Sequence, residues 1–304
     1  MSFVGLFSRI PPTRDPPHAN KTLHLRLITV SVSHYCEKAR WALDLLEADP
    51  SSPVYYTEDG HPPAFVSFHS VPASKDQAWA TPMVVFPDGH FINKSDTILK
   101  ELCPALYPDN FYISNAVDEF EQYMGQRLGV AIRLYAYHCF LDPPHEYYEA
   151  LTHMVCLYSS KIEKTLFKAM LDRGIDKGIR RILKITDESA KVCKETIRQV
   201  FREVSDRLET SGGDYLMDTR ATKYGFTAAD LTFCALVYLY IQPPAMSNLS
   251  IEDNALPAEL LEFCNELRET RAGQYVLRVY DMHRPVSVAT GRINMKTLNM
   301  DRKP

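Results

Sequence analysis

With 304 residues, 45% of them hydrophobic and 24% charged, the chain can bury one large core or two ordinary ones, and two domains are the better reading. Its formal net charge of -4 and pI near 6.2 provide no field that would gather nucleic acid or an anionic membrane. The most apolar window, Leu231 to Ile241, falls well short of the roughly 20 residues a membrane span needs and is stopped by Pro243 and Pro244.

The chain begins with MSFVGLFSRIPPTRDPPHANK, which carries Arg9 and no acid before Asp15, a faint likeness to an organelle presequence. Its four prolines from Pro11 to Pro17 read more simply as a disordered arm over residues 1–21. Aliphatics then alternate and concentrate from Leu23 to Val32 as in a strand, and SHYCEKARWALDLL follows at once as a helix, so a βα unit opens the fold.

At that junction Ser33 suits the N-cap, its hydroxyl accepting from the amide of Tyr35 or Cys36. Cys36 falls in the first turn, near the positive end of the helix dipole, where a thiolate is stabilised whether it is built in or belongs to a ligand. The plainer reading is a capped helix with a buried small hydrophobe. Ala39, Ala42, Leu43 and Leu46 make the buried face, which leaves Glu37, Lys38, Arg40 and Asp44 to solvent.

After the strand-like stretch at Pro53, residues 57–80 are too rich in proline and histidine for a confident helix and read as a ligand-side loop. Pro87-Asp88-Gly89 between two apolar runs makes Met83 to Asn93 a β-hairpin. Thr81-Pro82 before it marks either a sheet edge or a cis bond. Ser95 or Asp96 then caps a short helix whose free amides would accept a carboxylate.

In the second half Ser189 to Leu208 and Leu260 to Tyr280 carry helical periodicity. Thr227 and Asp230 form a capping box for the apolar helix that follows, with Phe226 as a staple on Leu231. Lys177, Arg180, Arg181 and Lys184 are interleaved with acids and read as a solvated face. Seven cysteines without a CxxC pair fit reduced thiols in a cytosol-like compartment. His138, His145 and His153 lie too far apart on a helix to share one ion, so no metal is expected from them.

The order of strand, helix, strand, loop, Thr-Pro, hairpin and helix is that of a thioredoxin-like domain. SHYCEKARW, TPMVVFPDG and KSDTILKEL resemble, in that order, the motifs of the glutathione-binding domain of glutathione transferases, over about residues 22–107. FTAADLTFCALVYL resembles the capping box of the central helix in the all-helical domain of that family. The resemblance implies an α/β thioredoxin-like domain (22–107), an all-α transferase domain (108–283) and a tail (284–304), with a cleft between the domains.

It further implies that glutathione is the co-substrate, without a metal, and that a small apolar electrophile packs against the helices, where Tyr123, Tyr135 and Tyr137 are candidates. Ser33 would hold the glutathione sulfur as thiolate, the Thr81 backbone beside cis Pro82 would meet the cysteinyl part, and Ser95 with the amides around Asp96 would take the γ-glutamyl carboxylate. Detoxification in the cytoplasm by a homodimer follows from the same likeness. Two departures stand out. Lys94 replaces the acid that binds the γ-glutamyl ammonium, for which Asp96 is the substitute, and His34 replaces a proline and adds a group that titrates near neutrality. The alternatives are a catalytically idle transferase fold that binds or scaffolds through its arm and tail, and a thiol oxidoreductase led by Cys36.

Overall fold

The computed structural model describes residues 21–63, 65, 66, 69, 81–103, 111–142, 147–212, 214–223, 225–246, 249 and 253–285. Residues 1–20 of the expected arm, His145, most of 64–80 and the tail past 285 lie outside the described residues, while Lys21, expected in the arm, is buried against the sheet domain.

Four strands form one sheet in the order β2-β1-β3-β4. β1 (Leu23–Thr29) runs parallel to β2 (Val54–Gly60) and antiparallel to β3 (Met83–Val85), which pairs antiparallel with β4 (Phe91–Asn93). A parallel pair needs a crossover, and α1 (His34–Ala48) supplies it. The hairpin forms as expected, with Gly89 at φ 91, and Thr81-Pro82 is the cis form. β2 continues to Gly60, so Thr57 to Gly60, expected in the loop, belong to the sheet. Lys21 ties the return from α1 to β2 by donating to the carbonyls of Leu46, Asp49 and Ser52.

After α2 (Ser95–Leu102) the chain is helical. α3 (Asn115–Tyr123) passes through a π-turn at Met124–Gly129 into α4 (Val130–Leu141), and α5 (Tyr148–Val155), α6 (Lys161–Asp172) and α7 (Ile175–Leu183) follow. The long α8 (Asp187–Ser211) and α9 (Ala228–Ile241), buried but for Leu239, form the middle of this half. The periodic stretch from Leu260 to Tyr280 is two helices, α10 (Ala258–Glu269) and α11 (Arg271–His283). Thr270 divides them by donating its hydroxyl to Leu267 O and accepting from the Gly273 amide. A Cβ at Gly273 would strike the Leu267 carbonyl, so the close turn needs glycine there.

No helix among the described residues is long and apolar enough to cross a membrane. All seven cysteines are free and buried. Arg181 and Lys184 of the basic cluster are exposed, and Arg180 donates to Asp142.

One apolar cluster lies between the sheet, α1 and α2, and a larger one runs from Trp41 through α9 and α11. α1 lies between them, packed on the sheet by one face and on α9 by the other. That position overturns the expectation of a solvated charged face: Glu37, Lys38, Arg40 and Asp44 are all buried. Their charges are matched by partners from distant segments, since an unpaired buried charge is very costly. Arg40 pairs with Glu37 at 2.7 Å and Glu58 at 2.6 Å, and Lys38 with Glu121 at 2.5 Å. Arg284 reaches Glu37 at 2.9 Å and Asp44 at 2.6 Å.

The capping box of α9 is present: the amide and hydroxyl of Thr227 each donate to Asp230 Oδ2 at 2.7 Å. Asp230 also accepts from the Leu216 amide and the Tyr275 hydroxyl, joining three segments. Phe226, expected to pack on Leu231, has its ring stacked on His283 and against Trp41, which docks this cap onto α1.

Candidate functional site

Ser33 has extended backbone (φ -67, ψ 124) at the start of α1, and its carbonyl accepts from the Glu37 amide. Its hydroxyl does not cap the helix, contrary to expectation; it lies against the Cys36 thiol. Cys36 itself is fully buried, and burial pushes its thiol up to about 11 against the opposing contacts with Ser33 and the Val30 backbone. At neutral pH that sulfur is a thiol packed as a small hydrophobe.

His34 does not titrate near neutrality. Burial, assisted by the nearby Arg133 guanidinium, lowers it to about 3, and the Gly129 carbonyl is its polar contact. Tyr35 lies against the His34 ring, and its hydroxyl donates to Gly125 O at 2.7 Å. The π-turn thus presents two carbonyls to the first turn of α1, which seats the two halves together at this point.

A cleft of about 580 Å³, within the usual range for small-molecule sites, opens beside these residues. Ser33, Thr81, Lys94, Ser95 and Asp96 line its sheet-side wall. Pro82 is buried directly behind Thr81, and its carbonyl accepts from the Lys94 amide, which fixes the hairpin to the start of α2. The N-cap of α2 is Lys94, one residue earlier than expected, at φ 66, with its side chain exposed. Such a backbone is unusual outside glycine and clusters at ligand sites. Ser95, Asp96 and Thr97 form the first turn of α2, where helical amides have no acceptor within the helix and would receive an anion.

The facing wall is helical and mostly apolar, built by Ile132, Tyr137, Phe140, Met154 and Leu239, with Arg133 as its cation. Of the three tyrosines expected there, Tyr137 lines the cleft. Tyr123 instead donates to Glu203, and Tyr135 is buried with its hydroxyl on Glu259 and its ring edge-on to Phe263. Arg133 and the π-turn were not anticipated. A single cation inside VAIRLYAYHCFL was the available signal for the first, and nothing local marks the second.

His138 is half-buried and His153 exposed, on different helices. A different group does come together: Asp59, His61 and His69 offer ligand atoms within 4.8 Å of one another.

No family model and no curated protein matches the sequence. Solved structures do match the fold. A possible glutathione S-transferase from Rhodopseudomonas palustris is 15% identical at a TM-score of 0.50, with 87% of this chain and 96% of that one covered. A glutathione S-transferase of Ceriporiopsis subvermispora in complex with glutathione is 13% identical at 0.51, with 85% and 97% covered. At these identities the likeness concerns the fold: a thioredoxin-like α/β domain followed by an all-α domain, arranged as in the glutathione transferases.

Proposed function

We propose that this chain, which has the glutathione-transferase fold, binds glutathione in the cleft and transfers its sulfur to a small apolar electrophile. The observation that carries the reading is convergence. Ser33, Thr81, Ser95 and Asp96 come from three separate turns of the sheet domain and line one wall, opposite an apolar wall.

In this reading the Ser33 hydroxyl donates to the glutathione sulfur, which loses its proton to solvent and is held as thiolate. The sulfur then bonds to the electrophilic carbon as the leaving group departs with its electron pair. The Thr81 backbone meets the cysteinyl unit, and the first-turn amides of α2 receive the γ-glutamyl carboxylate. The Asp96 carboxylate, on the same wall, serves the γ-glutamyl ammonium in place of the acid that Lys94 displaces. The electrophile packs against Tyr137, Phe140 and Met154. Cys36 is left a structural role by its burial.

One observation favours a second reading. Lys94 is an exposed cation at the cap of α2, close to where the ammonium of the tripeptide would sit, which suits a catalytically idle binding protein.

Titration calorimetry with glutathione, alongside conjugation of a chlorinated nitroaromatic, tests both. Saturable binding with turnover supports the first reading, binding of other ligands without turnover the second. An empty cleft at millimolar tripeptide would overturn the enzymatic account.

A further inference from the structure

Away from the cleft's polar wall, the end of β2 and the segment after it carry a compact set of nitrogen and oxygen donors. Asp59 is the penultimate residue of the strand, His61 follows its last residue Gly60, and one ligand atom from each of these and of His69 lies within 4.8 Å of the others. We propose that Asp59, His61 and His69 form a binding site for a divalent transition metal, with zinc as the cation best suited to it.

The geometry of His61 is the first argument. Its ring is buried, and Asp59 Oδ1 lies 3.1 Å from Nε2, yet Nε2 has no hydrogen-bond partner because the approach is out of line. The two atoms form a close ion pair that a shared cation can replace, and the His69 ring, stacked on His61 at 3.4 Å, needs only a turn about its Cβ–Cγ bond to aim a nitrogen at the same centre. With metal bonds of about 2.0 to 2.1 Å, neighbouring ligands of a tetrahedral ion sit about 3.3 Å apart, close to the 3.1 Å between Asp59 Oδ1 and His61 Nε2.

The second argument is the outer partner. Glu163 Oε1 lies 2.8 Å from His61 Nδ1 and 3.4 Å from a nitrogen of His69, and its other oxygen is held by the amide and hydroxyl of Ser160 at the start of α6. A carboxylate on Nδ1 fixes the ring and its tautomer and leaves Nε2 for the metal, the usual support of a histidine ligand. Glu163 is buried and clamped independently of His61, so the carboxylate that orients His61 is preorganised.

Charge and donor type select the cation. An imidazole that ligates a metal is neutral, so in the bound state the Asp59 and Glu163 carboxylates are balanced by one divalent ion, which takes the place of the proton between His61 and its carboxylate partners. Imidazole with carboxylate suits zinc over calcium or magnesium, which prefer all-oxygen shells. No cysteine belongs to the donor group. Three protein ligands leave the fourth position to water. Pro63 and Val66, between the two histidines, line the cleft. The ion would therefore staple one edge of the cleft to β2 and, through Glu163, to α6.

The test uses the full chain, stripped with a chelator and titrated with Co2+ and then Zn2+. One equivalent of Co2+ is expected to give the visible absorption of a four-coordinate site, abolished by one equivalent of Zn2+. Asp59→Asn and His69→Ala change half-buried residues and should fold. Each should weaken binding by at least about tenfold, as should Glu163→Gln through loss of orientation. Circular dichroism on each variant confirms the fold. Absence of saturable binding to the wild-type chain overturns the proposal. So does binding that is unchanged in both Asp59→Asn and His69→Ala, which would locate the ion elsewhere. Neither result touches the glutathione reading, which uses none of these residues.

Discussion

Arg284 Nη1 lies 2.6 Å from Asp44 Oδ2, and Nε of the same guanidinium lies 2.9 Å from Glu37 Oε1. All three side chains are buried, and the pairing closes the contact between α1 and the segment following α11. Truncating the cation would strand two carboxylates in the interior. Arg284→Met should therefore cost about 3 to 5 kcal/mol of unfolding free energy, the range for breaking a buried ion pair from one side. Arg278→Met, which removes an exposed pairing with Asp214, should cost less than about 1 kcal/mol. Urea unfolding of the two variants beside the wild type decides it. Equal losses would mean that the buried network contributes no more than a surface pair.

The same network explains what was legible in the sequence. β1, α1, the hairpin at Asp88-Gly89 and the Thr227 cap were readable because each depends on residues within a few positions of one another. The face of α1 bearing Glu37, Lys38, Arg40 and Asp44 was misread as solvated because its burial depends on α9, and its neutralisation on Glu121 and Arg284 far along the chain. Helical periodicity reports charge and spacing, and a second packed face made of matched ions has the same pattern as a wet one. The residues of the cleft's sheet wall could be named from motifs. The helical wall could not, since Tyr137 and Tyr135 lie on one helix and only the packing sends one to the cleft and the other to the core. His61 was visible in the sequence, but its link to Glu163 spans 102 positions.

Ser33 and Cys36 can be separated by substitution. Ser33→Ala removes the hydroxyl proposed to hold the glutathione sulfur. By analogy with loss of one preorganised donor to a developing anion, turnover should fall on the order of 10²-fold or more. Binding of the tripeptide should persist through Thr81 and the α2 amides, while the ultraviolet absorbance of the bound thiolate disappears. Cys36→Ala should leave kcat/KM unchanged, because a buried thiol with pKa near 11 supplies no thiolate at neutral pH. The reverse ranking would transfer the chemistry to Cys36.

His34 gives the fold a defined response to acid. In the native state burial and Arg133 lower it to about 3, whereas in the unfolded chain it titrates near 6.5. Below 6.5 the unfolded state binds the extra proton, so the contribution of this group is fully present above that pH. It declines as the pH falls toward the native value, at up to about 1.4 kcal/mol per pH unit. Thermal or urea unfolding at pH 7, 5 and 4 should show this loss in the wild type and a shallower slope in His34→Gln. Parallel slopes would mean that His34 is protonated in the folded protein as readily as in the unfolded chain.

Gly129 closes the π-turn where it meets α1. A Cβ built there falls on the Tyr35 hydroxyl and close to its ring carbon Cζ at 2.8 Å, so Gly129→Ala must push Tyr35 off the Gly125 carbonyl. The expected cost is about 1 to 3 kcal/mol, as for overpacking of a close contact. Tyr35→Phe removes the atom that the new methyl group meets first, together with the hydrogen bond. The double variant should therefore lose less than the sum of the two single changes, by a coupling of at least about 0.5 kcal/mol. Because Tyr35 and Gly125 both line the cleft, glutathione affinity should fall in Gly129→Ala and recover in part in the double variant. Strict additivity of the stability losses would show that the alanine is accommodated by backbone movement of the π-turn and not by Tyr35.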